Sequence, residues 1–475
     1  MTIGYIFGTT KKSYVRRMLG FIGILFVLAG ILLFLPGWHI HATSPTVAVN
    51  PGDWPTYMMD NARSGFNSAE TILNRSTASQ LKLHWQYHAG GTINTQPVVV
   101  NGRIYWGAWD GNEYAMDLKG NVLWKTFLGQ TTGCKGQTTG VASTATIANV
   151  LIKGIPTAVD FVGGGNAHFY ALDAVNGNIL WSTPLGALPS HMIWDAPAVY
   201  NGSVYIGVSS YGDCPLVQGQ LIQLNASTGQ VQQTFNVVPN GCKGGGVWGS
   251  PTIDTVAQTL YFTTGTRGLS CPTYEKMSLA LVEVRITGLT LVGSWQVPPS
   301  QQISDGDFGS TPTLFKATIN GVVHQLVGAV NKNGIYYAFD RSNVSRPLWQ
   351  HKLATGSFRI SSSGWDGATL YAANATTSIA GHSCAGSVRA LNPATGASLW
   401  ERCVPGAVLG SVTLVPGLVI VGAGSSLAVL DATTGQRLFL YTDPAIVSNF
   451  WGAASVSNGV LYMGNKDGNL YAFGL

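Results

Sequence analysis

One unit recurs along this chain and leaves few folds open to it. It reads as a Pro or Ser beside a short apolar strand, Asn-Gly, V/I-Y-x-G, a second turn, Y-A-L-D, a Thr-Gly or Asn-Gly turn, and Leu-Trp. The clearest copy is QPVVVNGRIYWGAWDGNEYAMDLKGNVLW at residues 96–124, and partial copies return at 196–207, 387–400 and 427–439. Alternating apolar residues such as Val98, Val100, Ile104 and Trp106 mark half-buried strands. Asn101-Gly102, Asn201-Gly202 and Asn458-Gly459 suit tight hairpins whose central residues need positive φ. In the D-A-x-x-G turns, Asp173 and Asp431 are placed to accept backbone N–H groups, while Gly177 and Gly435 take the left-handed conformation. Three hairpins per unit make one four-stranded antiparallel sheet.

Stacked sheets of this kind form a ring. Fourth strands end at Trp124, Trp181, Phe235, Trp295, Trp349, Trp400 and Phe439, and the last unit, residues 451–473, supplies only three strands. An orphan strand, LKLHWQY at residues 81–87, precedes the first unit. Pairing it with the last three closes the ring and leaves no open edge. The prediction is an all-β, eight-bladed β-propeller. A length of 475 residues is beyond a single ordinary core, but each blade adds its own layer. Sixty glycines and 10% charged residues agree with turn-rich β-structure.

Residues 18–38 form an uncharged apolar run long enough to cross a bilayer as a helix. Lys11, Lys12, Arg16 and Arg17 precede it, and no acidic residue occurs before Asp53. The positive-inside rule then puts residues 1–17 in the cytoplasm, makes 18–38 a transmembrane signal-anchor helix and 39–52 a linker, and sends the propeller, 53–475, to the extracytoplasmic side. A cleavable signal peptide fits less well, because the run is long and no A-x-A-like site follows. Those four basic residues supply most of the net charge of +5, so the propeller carries no footprint for nucleic acid. Six cysteines fit an oxidising compartment. Pairings of Cys134 with Cys242, which share a G-C-K-G loop, and of Cys384 with Cys403, within one repeat, are the two suggested by position.

Several segments resemble the quinoprotein (pyrroloquinoline quinone, PQQ) dehydrogenase propellers, in particular their polyvinyl alcohol dehydrogenase-like branch. They are DWPTYMMDNARSGFN (53–67), LKLHWQYHAGG, GGVWGSPTID (245–254), DGDFGSTPTL (305–314), NKNGIYYAFDR (331–341) and WGAASVSNGVLYMGN (451–465). The resemblance implies an oxidoreductase that uses PQQ and calcium on an alcohol or sugar, small or polymeric. Trp248, in G-V-W-G-S-P, matches the tryptophan on which the quinone stacks. Asp305 matches the catalytic aspartate, read from the spacing to Pro312, with Asp307 as a structural neighbour. Lys332, in the N-K-N-G turn, matches the cation that hydrogen-bonds the quinone oxygens. Asp213 falls where the family has a calcium-binding glutamate, and Thr266 where it has a second, asparagine ligand. Each also has an ordinary reading: a blade-core aromatic, a D-G turn, a hairpin lysine, a loop acid.

The chain departs from the family in three ways. Asp213 and Thr266 replace better calcium ligands, Cys134 is followed by Lys135 and not by a second cysteine, and no C-x-x-C-H haem motif occurs. Electrons would therefore need a separate acceptor such as a cytochrome c. The same fold serves in outer-membrane assembly lipoproteins, so a non-catalytic binding or assembly scaffold at the membrane surface is the alternative.

Overall fold

The structure, a computed structural model, describes residues 50–475 apart from 269–270, 272–274, 356–359 and 446–447. The expected basic segment and apolar run at residues 1–38 lie outside the described residues. Among the described residues, no helix is long and apolar enough to cross a membrane.

Eight antiparallel sheets follow one another, each four strands deep, with an extra short strand, His191–Met192, on the third. Blade 1 runs from Val98–Val100 to Val122–Phe127, blade 2 from Thr146–Ile152 to Ile179–Pro184, and blade 3 from Ala198–Tyr200 to Val231–Asn236. Blade 4 runs from Thr252–Asp254 to Leu291–Gln296, and blade 5 from Thr313–Ile319 to Trp349–Lys352. Blades 6 and 7 run from Gly364–Trp365 to Ser398–Val404 and from Thr413–Val415 to Arg437–Thr442. In blade 8, the strands Ser455–Ser457, Val460–Gly464 and Asn469–Gly474 are completed by Lys82–His88, with Gln86 opposite Tyr471. The predicted closure by the orphan strand is what the chain does.

Local sequence explains the blades. Asn101 and Gly102 both have positive φ (51° and 73°), as the tight hairpin requires. First strands such as Val98–Val100 are buried, whereas fourth strands such as Val122–Phe127 are largely exposed. The core is divided: among the described residues, eight hydrophobic clusters occur, one in each seam between neighbouring blades.

The recurrent fourth-strand tryptophan latches several of the seams, while Phe235 and Phe439 take its place in blades 3 and 7. The indole N–H of Trp124 donates to Ala174 O (3.2 Å), of Trp181 to Ala226 O (3.1 Å), and of Trp400 to Ala432 O (2.9 Å), all in the turn of the next blade. That turn needs glycine twice over. A Cβ on Gly177 would stand 2.6 Å from the Trp124 ring, and the residue sits at φ 74°.

The segment preceding the ring is its plug. In every blade, residues 54–67 bond the second residue of the innermost strand. Val99, Ile147, Ile253, Leu314, Trp365 and Leu414 donate their N–H to carbonyls of Trp54, Pro55, Asn61, Ala62, Ser64 and Gly65 at 2.7–3.0 Å. The Asn61 and Asn67 amides donate to Val199 O and Val456 O, both at 2.9 Å. Inner strands of a propeller have no further strand to pair with, and the plug satisfies them. Its fully buried Arg63 donates to the carbonyls of Tyr57 (2.7 Å), Pro251 (3.0 Å) and Pro197 (3.2 Å). Burial pulls its pKa down to about 10, against the carboxylates of Asp60 and Asp195.

Three disulfides are formed: Cys134–Cys214, Cys242–Cys271 and Cys384–Cys403. The last pairing agrees with its position in one repeat; the expected Cys134–Cys242 pair does not form. The two G-C-K-G loops follow blades 1 and 3, so their likeness reflects rotation around the ring and not proximity.

Candidate functional site

Blades 3, 4 and 5 bring one residue set to a common cavity. Trp248 lies four residues before the innermost strand of blade 4, Thr252–Asp254, and its half-buried ring has room because Gly309 lacks a Cβ, which would stand 2.3 Å from the indole. The Thr264-Gly265-Thr266 turn is fixed beside it by Gly265 N to Gly246 O and Gly245 N to Thr266 O, both 2.8 Å. In blade 5, Lys332 N donates to Asp307 O (3.1 Å), and the Asn331 amide to Gly306 O (2.8 Å), so the N-K-N-G turn and the D-G-D segment move as one.

The result is a cavity of about 290 Å3, lined by Trp194, Tyr211, Asp213, Trp248, Thr266, Asp307 and Lys332 among others. This lies near the lower end of the roughly 300–1,000 Å3 typical of ligand pockets. The Lys332 ammonium bridges Asp307 (2.6 Å) and Asp305 (2.8 Å) and stands 5.1 Å from the Trp248 ring centroid. The Trp248 indole N–H donates to the other oxygen of Asp307 (3.1 Å). Across the cavity the Thr266 hydroxyl donates to Asp213 (3.1 Å). A smaller cavity of about 150 Å3 on the axis shares Trp194 and Trp248 and adds Tyr57 of the plug and Trp451 of blade 8.

Burial pushes the Asp307 carboxyl up to about 6, opposed by the Lys332 ammonium and reinforced by the carboxylates of Asp305 and Asp213. For Lys332, burial acts downward, but Asp307 and Asp305 together outweigh it and raise the pKa. A buried carboxylate whose pKa is raised toward neutrality, yet which is mostly ionised there and held by two donors, is suited to take up a proton.

Four of the five residues singled out from the sequence, Trp248, Lys332, Asp213 and Thr266, therefore meet in one cavity. Asp305 does not line it. Its side chain is 66% exposed and its contact is Lys332, whereas the Asp307 side chain is 6% exposed and faces the cavity. Asp305 sits in a turn at φ 53°, whereas Asp307 lies beside the bridge from Phe308 to Asn331. Trp194 went unnoticed although W-D-A-P repeats the W-G-S-P spacing of Trp248.

The donor set fits a planar quinone and a calcium ion in kind. The half-buried Trp248 ring offers a flat platform, Lys332 a hydrogen-bonding cation, and Gly246 a close backbone approach. Asp213, Asp307 and Thr266 offer hard oxygen ligands of the type calcium takes.

Comparison with known proteins now adds the family context. Residues 320–475 match the PQQ_2 family model, described as outer membrane protein assembly factor BamB. A polyvinylalcohol dehydrogenase from Sphingopyxis sp. (strain 113P3) is 26% identical over 58% of this chain and 47% of its own length. The quinohemoprotein alcohol dehydrogenase of Comamonas testosteroni is 26% identical over 62% of this chain and 46% of its own length. The chain thus spans about half the length of the curated relatives it matches. A crystal structure of the Comamonas testosteroni enzyme superposes with a TM-score of 0.72 at 19% identity, covering 95% of this chain and 84% of that one. BamB from Moraxella catarrhalis superposes with a TM-score of 0.54 at 15% identity, over 83% and 98%. The fold is the eight-bladed propeller of the quinoprotein alcohol dehydrogenases. The chain carries a PQQ-type repeat domain, and its homologues are polyvinyl alcohol and quinohemoprotein alcohol dehydrogenases.

Proposed function

We propose that this protein is an extracytoplasmic quinoprotein dehydrogenase, tethered to the membrane by residues 18–38, that oxidises an alcohol or sugar hydroxyl with PQQ and calcium. The observation that carries this reading is the convergence of Trp248, Lys332, Asp307, Asp213 and Thr266 on one cavity.

Held on Trp248 and Lys332, a bound quinone would supply a two-electron hydride acceptor, and a calcium ion held by Asp213 and Thr266 would supply Lewis-acid polarisation. The chain's own residues do the rest. Asp307 takes the hydroxyl proton on its carboxylate, and with the hydride removed the substrate is left as a carbonyl compound. Lys332 keeps Asp307 ionised through their ion pair and supplies a positive field where negative charge develops on the cofactor. Trp248 sets the plane of the cofactor and orients Asp307 through its indole N–H. Asp305 acts from outside the cavity by holding the Lys332 ammonium. Asp213 and Thr266 would hold calcium. The two electrons would pass to a separate acceptor such as a cytochrome c.

Reconstituting the full chain with PQQ and calcium, and following dye reduction with alcohols and sugars, tests this. Turnover lost in Asp307→Asn supports it; absence of turnover with every substrate and acceptor counts against it. The match of residues 320–475 to an assembly-factor model favours a second reading, a non-catalytic scaffold at the membrane surface. That reading gains if crosslinking of the native membrane traps a defined protein complex while PQQ fails to bind.

A further inference from the structure

The cavity wall from blade 3 is not secured by blade 3 alone. Residues 211–216 leave that blade's second strand, Ser203–Ser210, as a loop that supplies Tyr211, Asp213 and Leu216 to the cavity. The base of the loop is tied locally: Tyr211 N donates to Ser190 O (2.8 Å), and the Trp194 indole to Ser210 O (3.1 Å). Its tip is held from elsewhere. The hairpin Thr131–Thr132/Thr138–Thr139, between blades 1 and 2, reaches it at two points. Cys134 in the hairpin turn is bonded to Cys214, the residue after Asp213. The Tyr211 hydroxyl meets the Thr139 hydroxyl (2.6 Å) and donates to Gln137 O (2.6 Å). The hairpin lies so close that a Cβ on Gly133 would stand 2.0 Å from the Tyr211 ring.

We propose that the Cys134–Cys214 disulfide and Tyr211 form a clamp between blades that positions Asp213 at the cavity, making them positioning residues for the ligand site rather than supports of the propeller. The position of the link carries the argument. The eight seams already have their own hydrophobic clusters, and the clamp lies outside all of them. What it fixes is a short exposed loop whose one carboxylate faces Thr266 of blade 4 at 3.1 Å. Without the clamp, Asp213 would have to be ordered each time a ligand bound, and pre-organisation removes that cost. The calcium role of Asp213 rests on the function proposed above; the clamp itself does not.

The test compares the full chain with Cys134→Ser/Cys214→Ser, with Tyr211→Phe, and with Cys384→Ser/Cys403→Ser as a disulfide control. Hydrogen exchange is followed on peptides covering 211–217 and on the blade strands. The clamp predicts exchange at 211–217 faster by about tenfold or more in the Cys134/Cys214 variant, with blade strands unchanged. Tyr211→Phe, which keeps the ring and the disulfide, should give a smaller rise confined to the same peptides, and it serves if the double variant fails to fold. Calcium titration, read by tryptophan fluorescence, should show an affinity weakened by about tenfold in the Cys134/Cys214 variant and unchanged in the control. Unchanged exchange at 211–217 in both clamp variants overturns the proposal, as does a rise spread evenly over the blades. A wild-type chain that ignores calcium rejects the calcium assignment, while the exchange result still decides the clamp.

Discussion

The sharpest consequence for stability lies in the seam between blades 1 and 2. Glu113 shares a strand face with Ala115, and Asp160 with Val162; Ala115 and Val162 pack in the same seam cluster. The two carboxyls therefore face one another. Both are fully buried, and none of their four oxygens has a hydrogen-bond partner among the described residues. Burial pushes Asp160 up to about 8 from the ordinary 3.8. Burial, then the carboxyls of Asp160 and Asp110, raise Glu113. Such groups are protonated in the folded chain at low pH and must ionise as pH rises, so the folded state binds more protons than the unfolded one. Stability then falls with rising pH from about 4, where the unfolded acid ionises, to about 8, where the folded one does. For Asp160 alone the ceiling on the loss is on the order of 5 kcal/mol. Asp160→Asn keeps the shape and cannot ionise. It should be close to neutral at pH 4.5 and should stabilise the chain by a few kcal/mol at pH 9 (~1–3 kcal/mol, since Glu113 still ionises). Calorimetric Tm at pH 4.5, 7 and 9 measures this. A variant equally destabilised at all three pH values, or a wild-type chain whose stability rises from pH 5 to 8, refutes the reasoning.

Other outcomes follow from the same geometry. Arg63→Met removes the guanidinium donor from the carbonyls of Tyr57, Pro251 and Pro197, of which Pro197 O keeps the Thr146 hydroxyl, and should cost about 2 kcal/mol or more, seen as a lower urea midpoint; a shift within error would mean that the plug does not hold the ring. In the ligand-free chain, tryptophan fluorescence should titrate with a midpoint near the value of about 6 given by Asp307, because ionisation strengthens the hydrogen bond its carboxylate accepts from the Trp248 N–H. Asp307→Asn should abolish that titration, and Asp305→Asn should leave it in place. Lys332→Gln should shift the midpoint upward, because the ammonium is the charge that holds Asp307 down.

Much of the architecture was legible because each device is local. Asn-Gly at a hairpin, Asp at a turn and a Trp or Phe closing a fourth strand announce a blade wherever they fall, and the three-strand remainder at residues 451–473 could find its fourth only at 81–87. What stayed hidden depends on contacts distant in sequence. DWPTYMMDNARSGFN was recognisable as a family marker, but nothing in its letters says that it bonds all eight inner strands. Cys134 pairs with Cys214 because a hairpin after blade 1 reaches across to a loop of blade 3, whereas the matching G-C-K-G loop only repeats its sequence. Trp248, Lys332, Asp213 and Thr266 were found through motif positions. The choice between Asp305, in a turn, and Asp307, beside the bridge from Phe308 to Asn331, is one that a D-G-D motif does not reveal.

Blades 3, 4 and 5 are proposed to build a site for a planar quinone beside a calcium ion. Native mass spectrometry of the purified full chain mixed with PQQ and calcium addresses it most directly. The account predicts one PQQ per chain, with binding lost in Trp248→Ala and weakened in Lys332→Gln. A chain that stays bare at saturating PQQ, or one that binds equally well after Trp248→Ala, would contradict it.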